Sequence, residues 1–167
     1  MTLVEAFLPP SQTRRAILIL VAALIALAIV WILQGLGYDP CELCLTERYA
    51  FYAAAPLAAL TAILASRSPG LARAGFALIA LIFLANVALA FYHVGVEEHW
   101  WPGPTACTGS LSGPLDVNDL AKALSTVRVV NCDVVQLRIL GLSLAGWDVV
   151  ASAVLAIYAA LAARLPR

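Results

Sequence analysis

"AILILVAALIALAIVWIL", residues 16–33, is a run of eighteen residues with no charged, amide or hydroxyl side chain. The uncharged stretch around it reaches from Arg15 to Asp39, 23 residues in all. A helix rises ~1.5 Å per residue, so ~20 residues cross the ~30 Å hydrocarbon core of a bilayer. Two more uncharged runs follow, 18 residues between Arg48 and Arg67 and 23 between Arg73 and Glu97. A fourth, about residues 144–163, carries one acid, Asp148, near its start. Buried helices of a soluble bundle would each keep a polar face, yet "LIALIFLANVALAF" (78–91) offers only Asn86. Over the whole chain 63% of the residues are hydrophobic and 12% charged, against ~45–50% and ~25% in soluble domains.

These runs predict an all-α integral membrane protein, a four-helix transmembrane bundle forming a single domain over 1–167. The expected spans are about 16–36, 48–66, 74–95 and 144–163, with outward loops at 37–47 and 96–143. The apolar core of the first span exceeds the ~7–15 residues of a signal peptide. No small-x-small cleavage site follows in "WILQGLGYDP", so the span is expected to stay in the mature protein. Asp39-Pro40 ahead of Cys41 does not look like a lipoprotein cleavage site either.

The net charge is zero, and its distribution matters more than its sum. Four spans put both termini and the short loop "SRSPGLAR" on one side, with Arg14, Arg15, Arg67, Arg73, Arg164 and Arg167 against the single acid Glu5. Arg48, Lys122, Arg128 and Arg138 share the other side with the remaining nine acids. Positive charge beside span ends marks the cytoplasm, so the termini are expected inside and the first and third connections outside. Ten scattered basic residues make no nucleic-acid surface.

All four cysteines fall on the outward side, Cys41 and Cys44 in the first loop and Cys107 and Cys132 in the second. Disulfides persist outside the cytoplasm, and an even count there favours pairing. In "DPCELCLTER" (39–48), Asp39 suits an N-cap, Pro40 the first helical position and Glu42 a capping box. The second helix is therefore expected to begin at this motif. Helix N–H groups and the helix dipole favour a thiolate there. Three residues apart, the two sulfurs can close a short disulfide, whose small loop contributes little stability. Arg48 lies one turn beyond Cys44, placed to favour a thiolate or hold an oxygen-bearing ligand; alternatively it is an interfacial arginine paired with Glu47. A structural zinc would need four ligands, and the spacing of Cys41, Cys44, Cys107, Cys132, His93 and His99 matches no familiar pattern, so no metal is expected.

Cys107 and Cys132, 25 residues apart, sit in a loop rich in turn formers, where a disulfide would by itself read as a staple. "DVNDLAKAL" (116–124) suits a short amphipathic helix. "VVQLRILGLSLAGW" (134–147) is apolar enough to lie along the bilayer with Arg138 facing water. Trp100, Trp101 and Trp147 suit the interfacial aromatic belt. His93 falls at the outer end of the third span, as an interfacial histidine or a hydrogen-bond donor to a ligand.

With "CELCLTER" (41–48), the spaced cysteine pair, "PTAC" (104–107) and "GLSLAGW" (141–147) in view, the chain resembles the bacterial disulfide-bond formation protein B (DsbB) family over nearly its whole length. The resemblance implies an inner-membrane enzyme that reoxidises a soluble periplasmic, thioredoxin-like, DsbA-like thiol oxidase. It implies that electrons pass to a membrane quinone, ubiquinone or menaquinone. Carried over by position, Cys107 and Cys132 form the pair attacked by the partner, and Cys41 and Cys44 reoxidise that pair. Cys44 and Arg48 then lie beside the quinone head group, with His93 a further candidate. A vitamin K epoxide reductase-like enzyme is disfavoured, because there the CxxC follows the loop cysteines. A non-enzymatic scaffold or transporter subunit with structural disulfides would leave the short pair unreactive. Transport draws little from the sequence, whose intramembrane polar residues reduce to Asn86 and Asp148.

Overall fold

The computed structural model describes residues 11–104 and 130–165. Four helices account for most of them: α1 (Gln12–Gly35), α2 (Glu42–Arg67), α3 (Pro69–Glu97) and α4 (Leu144–Arg164). Each is long and apolar enough to cross a membrane, and the protein is a four-helix transmembrane bundle. A two-stranded hairpin, β1 (Arg138–Ile139) and β2 (Leu142–Ser143), leads into α4.

Each helix packs chiefly on its neighbours in sequence or across the long connection, α1 on α2, α2 on α3 and α3 on α4, with a thinner contact between α1 and α4. The seam is built from small residues: Ala16, Ala23, Ala54, Ala58, Ala90 and Ala159 are fully buried. In lipid no hydrophobic effect drives helices together, so close backbone approach across small side chains, which gains dispersion contacts, carries the association. Phe51 and Phe83 fill the middle edge-to-face, their ring centroids 5.2 Å apart. Apart from Ile19 and Ile79 in the core, many large aliphatic side chains point the other way; Leu24, Ile25, Ile32, Ile63 and Leu81 are all at least half exposed. That inversion, with alanine inside and leucine outside, suits a bundle solvated by acyl chains.

Deep between α3 and α4 lies one polar cluster. The Asn86 amide donates to Asp148 Oδ2 and to Ser152 Oγ, both at 2.9 Å, and the Ser152 hydroxyl donates to Asp148 Oδ1 at 3.2 Å. The two residues that the sequence singles out inside spans are thus each other's partners. At the opposite end from the cysteines, Arg15 donates to the Leu165 carbonyl at 3.5 Å, tying the start of α1 to the end of α4.

The helices run past the uncharged stretches, because capping and not hydropathy sets their ends. The helix α1 stops in a Schellman motif: Gly37 (φ +98°) donates to Gln34 O and Tyr38 to Leu33 O. Only a residue tolerant of positive φ fits that turn. Residues 42–47, assigned to the outward loop on charge, form the opening of α2, and Val96 and Glu97 still belong to α3. The expected N-cap at Asp39 is displaced by two residues; Cys41 holds that place.

Within residues 134–147 the chain folds into the hairpin, with Leu140 (φ +53°) and Gly141 (φ +87°) at its tip. Two successive positive-φ residues are what a two-residue turn of type I′ needs. The Trp147 indole donates to Ile139 O at 3.0 Å, and Ser143 Oγ caps α4 by accepting from Gly146 N while hydrogen-bonding Glu97. Arg138 is solvent-exposed, as expected, and pairs with Glu98 at 2.8 Å. The helix expected at 116–124 lies outside the described residues.

Candidate functional site

The first turn of α2 is organised by a thiol. Cys41 has extended backbone (φ −77°, ψ 172°), and its Sγ accepts the backbone N–H of Cys44 at 3.2 Å. Sulfur thus fills the role that a serine or aspartate oxygen plays at most N-caps. The same turn brings the two sulfurs to 2.8 Å, and both cysteines are free. Cys41 is buried, while Cys44 is partly exposed.

The buried stripe of α2 runs Leu43, Glu47, Phe51, Ala54, Ala58 at helical spacing. Glu47 therefore points inward, 6% exposed, where it meets His93 from α3, 2% exposed. His93 Nδ1 lies 2.7 Å from Glu47 Oε1 and Nε2 lies 3.6 Å from Cys41 Sγ. A carboxylate can only accept here, so Nδ1 carries the proton and Nε2 faces the sulfur. The alternative reading, a Glu47–Arg48 pair, is not what forms: Glu47 meets His93 and Arg48 meets Gln34. His93 is buried, not solvent-facing, and its second ring nitrogen is turned towards the cysteine pair.

This arrangement makes Cys41 the thiolate of the two. The hydrogen bond with the Cys44 thiol, opposed by burial and reinforced by His93 and the Cys44 N–H, holds its pKa well below the usual thiol range. Thiolate is the reactive form. Alkylation of Cys41 by iodoacetamide is therefore expected to stay flat through neutral pH and to fall away only in the acid range. In His93→Phe the inflection moves up. A wild-type profile rising steadily towards pH 9 would show that the capping and imidazole contacts do not hold the anion.

Arg48 projects from the other side of α2, towards α1. Its Nη1 donates to Gln34 Oε1 at 2.8 Å, and the guanidinium carbon sits 5.9 Å from the centre of the Trp31 ring. The fork is thus fixed in orientation, with one of its five N–H donors given to Gln34.

Cys132 is 1% exposed and disulfide-bonded. It packs in one cluster with Cys41, Leu43 and Val96, bordered by Cys44 and Trp101. Gln136 donates to Asp39 O at 2.7 Å, so the end of the long connection is fastened onto the loop that precedes Cys41. Trp101 stacks on Tyr92 with the rings 5.9 Å apart and donates to its carbonyl, which anchors the start of that connection. Cys107 lies outside the described residues.

A cavity of about 120 Å³ opens among these groups, lined by Cys41, Cys44, Arg48, His93, Cys132 and apolar side chains of α1 such as Leu27 and Val30. The site thus gathers Cys41, Cys44, Arg48, His93 and Cys132, five of the six expected residues, around one space. It adds two that sequence reasoning passed over, Glu47 and Gln34. The inward stripe of α2 was the signal that could have found Glu47; nothing in the sequence marked Gln34.

The family model described as "Disulfide bond formation protein DsbB" matches residues 12–162. Proteins named "Disulfide bond formation protein B" are similar along most of the chain. That of Herminiimonas arsenicoxydans is 34% identical over 142 residues, 82% of this chain and 85% of its own length. That of Aromatoleum aromaticum is 32% identical over 137 residues, 78% of each. That of Polaromonas naphthalenivorans is 31% identical over 169 residues, 96% of this chain and 98% of its own. No solved structure matches significantly.

Proposed function

The chain belongs to the disulfide bond formation protein DsbB family, and on that premise we propose that it is a membrane thiol:quinone oxidoreductase. It reoxidises a soluble, DsbA-like dithiol partner on the outer face of the bacterial inner membrane. The observation that carries this reading is the free Cys41–Cys44 pair, with its sulfurs 2.8 Å apart, lining one cavity with Arg48, His93 and Cys132.

The cavity suits the edge of a quinone head group by its lining, since about 120 Å³ beside the cysteine pair and Arg48 adjoins apolar side chains of α1. When bound, a quinone supplies a two-electron, two-proton acceptor that is itself soluble in the bilayer. Arg48 then offers donors to an oxygen of the head group, held in place by Gln34 and Trp31. Cys44, the more exposed sulfur, faces the acceptor, while Cys41 keeps the thiolate that closes the disulfide. His93 and Glu47 hold the proton that leaves this pair.

The second pair works towards water. A thiolate of the reduced partner attacks the Cys107–Cys132 disulfide, and a mixed disulfide forms. The partner's second thiol resolves it, leaving an oxidised partner and a reduced loop pair. That pair is reoxidised by thiol–disulfide exchange with Cys41–Cys44, which thereby becomes the dithiol. The state with Cys132 disulfide-bonded and Cys41 and Cys44 free is the one in which the electrons have reached the cavity. Packing of Cys132 in the Cys41 cluster supports the exchange between pairs. The six arginines at the opposite end support cytoplasmic termini.

Anaerobic mixing of the oxidised protein with a reduced thioredoxin-like partner and a short-chain ubiquinone, followed by quinone absorbance, tests the reading. Loss of one quinone per partner dithiol is expected. An unreactive short pair with no quinone consumed would leave a scaffold with structural disulfides.

A further inference from the structure

Sequence spacing concealed a ligand set that the fold assembles. One ligand atom each from Cys41, Cys44 and His93 lie within 4.8 Å of one another. We propose that the reduced protein binds a zinc ion at Cys41 Sγ, Cys44 Sγ and His93 Nε2, so that the cysteine pair has a metal-held state in addition to its dithiol and disulfide.

The argument starts with the histidine. Metal-binding imidazoles almost always donate their other ring N–H to a carboxylate or carbonyl, which fixes the tautomer and raises the basicity of the ligating nitrogen. Glu47 does this for His93, with 2.7 Å between Oε1 and Nδ1. The nitrogen left over is Nε2, and it already faces Cys41 at 3.6 Å. Both carboxylate and imidazole are buried, so the orientation is set before any ion arrives.

The donor chemistry selects the metal. Two thiolates and one imidazole are a set that suits zinc, with a fourth, open position for water. Zn–S bonds of ~2.3 Å in a tetrahedral shell place two sulfurs ~3.8 Å apart. From 2.8 Å the thiols need to part by about 1 Å, a side-chain adjustment at a helix end. Charge also favours an ion here, since Zn²⁺ offsets the two thiolates and the Glu47 carboxylate lies directly behind the neutral imidazole. Binding is written Zn²⁺ plus the Cys41 thiolate and the Cys44 thiol giving the dithiolate complex and one proton, with no change of oxidation state. In the disulfide no thiolate remains and the site does not exist.

This inference does not rest on the quinone reading, because thiols and imidazole bind the ion whether or not they reduce anything. The test uses untagged, full-length protein in detergent, reduced and freed of metal. It is titrated with Co²⁺ as the optical probe and then with Zn²⁺ in competition. One Co²⁺ per chain is expected, with thiolate charge-transfer absorption and the intense visible bands of tetrahedral cobalt. The oxidised protein should give none. His93→Ala should abolish the tetrahedral spectrum, and Glu47→Gln should weaken Zn²⁺ binding by about 10- to 100-fold. Should His93→Ala fail to fold, X-ray absorption of the wild-type zinc complex decides, with two sulfurs and one imidazole nitrogen expected in the first shell. A shell of four sulfurs, a spectrum unchanged in a folded His93→Ala, or no binding by the reduced chain would overturn the proposal. Quinone reduction by the metal-free sample is a separate readout, so failure of either proposal is distinguishable from failure of the other.

Discussion

Serine in place of Cys41 is expected to stop quinone reduction by the thiol partner altogether. The variant keeps an oxygen that can cap α2, so the helix start survives. It loses the sulfur that is both the thiolate of the pair and the means of closing its disulfide. Cys44 alone cannot deliver two electrons and return to an oxidised state. Turnover should fall to the uncatalysed rate. Cys107→Ser interrupts the other half of the relay: exchange with the partner is lost, yet Cys41 and Cys44 should still become a disulfide when quinone is added. Mass spectrometry of alkylated thiols, alongside quinone absorbance, reads both halves. Full turnover in either variant would sink the two-pair relay.

The membrane fold was legible because hydrocarbon leaves little choice. An unbroken apolar run of residues 16–33 has no other stable home, and the charges that end each run mark where water begins. The cysteine pair was legible because its spacing is local. Glu47 was obscured by its neighbours, since an acid before Arg48 reads as a surface ion pair until helix phase turns one inward and the other towards Gln34. His93 lies 46 residues from Glu47, and only packing of α2 on α3 joins them. The start of α2 was misplaced because Asp39-Pro40 is a strong local capping signal, outweighed by a thiol that takes the same hydrogen bond. The hairpin went unseen because its tip uses leucine at a positive-φ position where asparagine or glycine is usual.

Alanine in place of Arg48 should impair quinone use most severely among changes that leave every cysteine intact. Losing a charge-assisted hydrogen bond costs ~1.5–3 kcal/mol, which corresponds to ~10- to 150-fold in affinity. The effect should appear in the KM for quinone, while exchange between the partner and the loop pair proceeds at its normal rate. Arg48→Lys should recover only part, because a point charge replaces a planar fork. Gln34→Leu leaves the charge and removes its support, so it should cost less than Arg48→Ala and act on the same constant. Steady-state rates against quinone concentration check all three. An alanine variant with unchanged KM and kcat would leave Arg48 as an anchor at the membrane boundary.

The cluster of Asn86, Asp148 and Ser152 is a locating pin for everything above it. Acyl chains cannot tell one rotation of an apolar helix from another, and a seam of alanines discriminates only weakly. A carboxyl and an amide that meet between two apolar helices discriminate strongly, because the side chains around them offer few other partners. Asn86 and His93 are seven residues apart, two turns along one face of α3. Turning that helix by a single residue, ~100°, would break the pin and swing the imidazole away from Cys41 together. The aim of a histidine at the membrane surface is thus indexed by three polar side chains two turns below it.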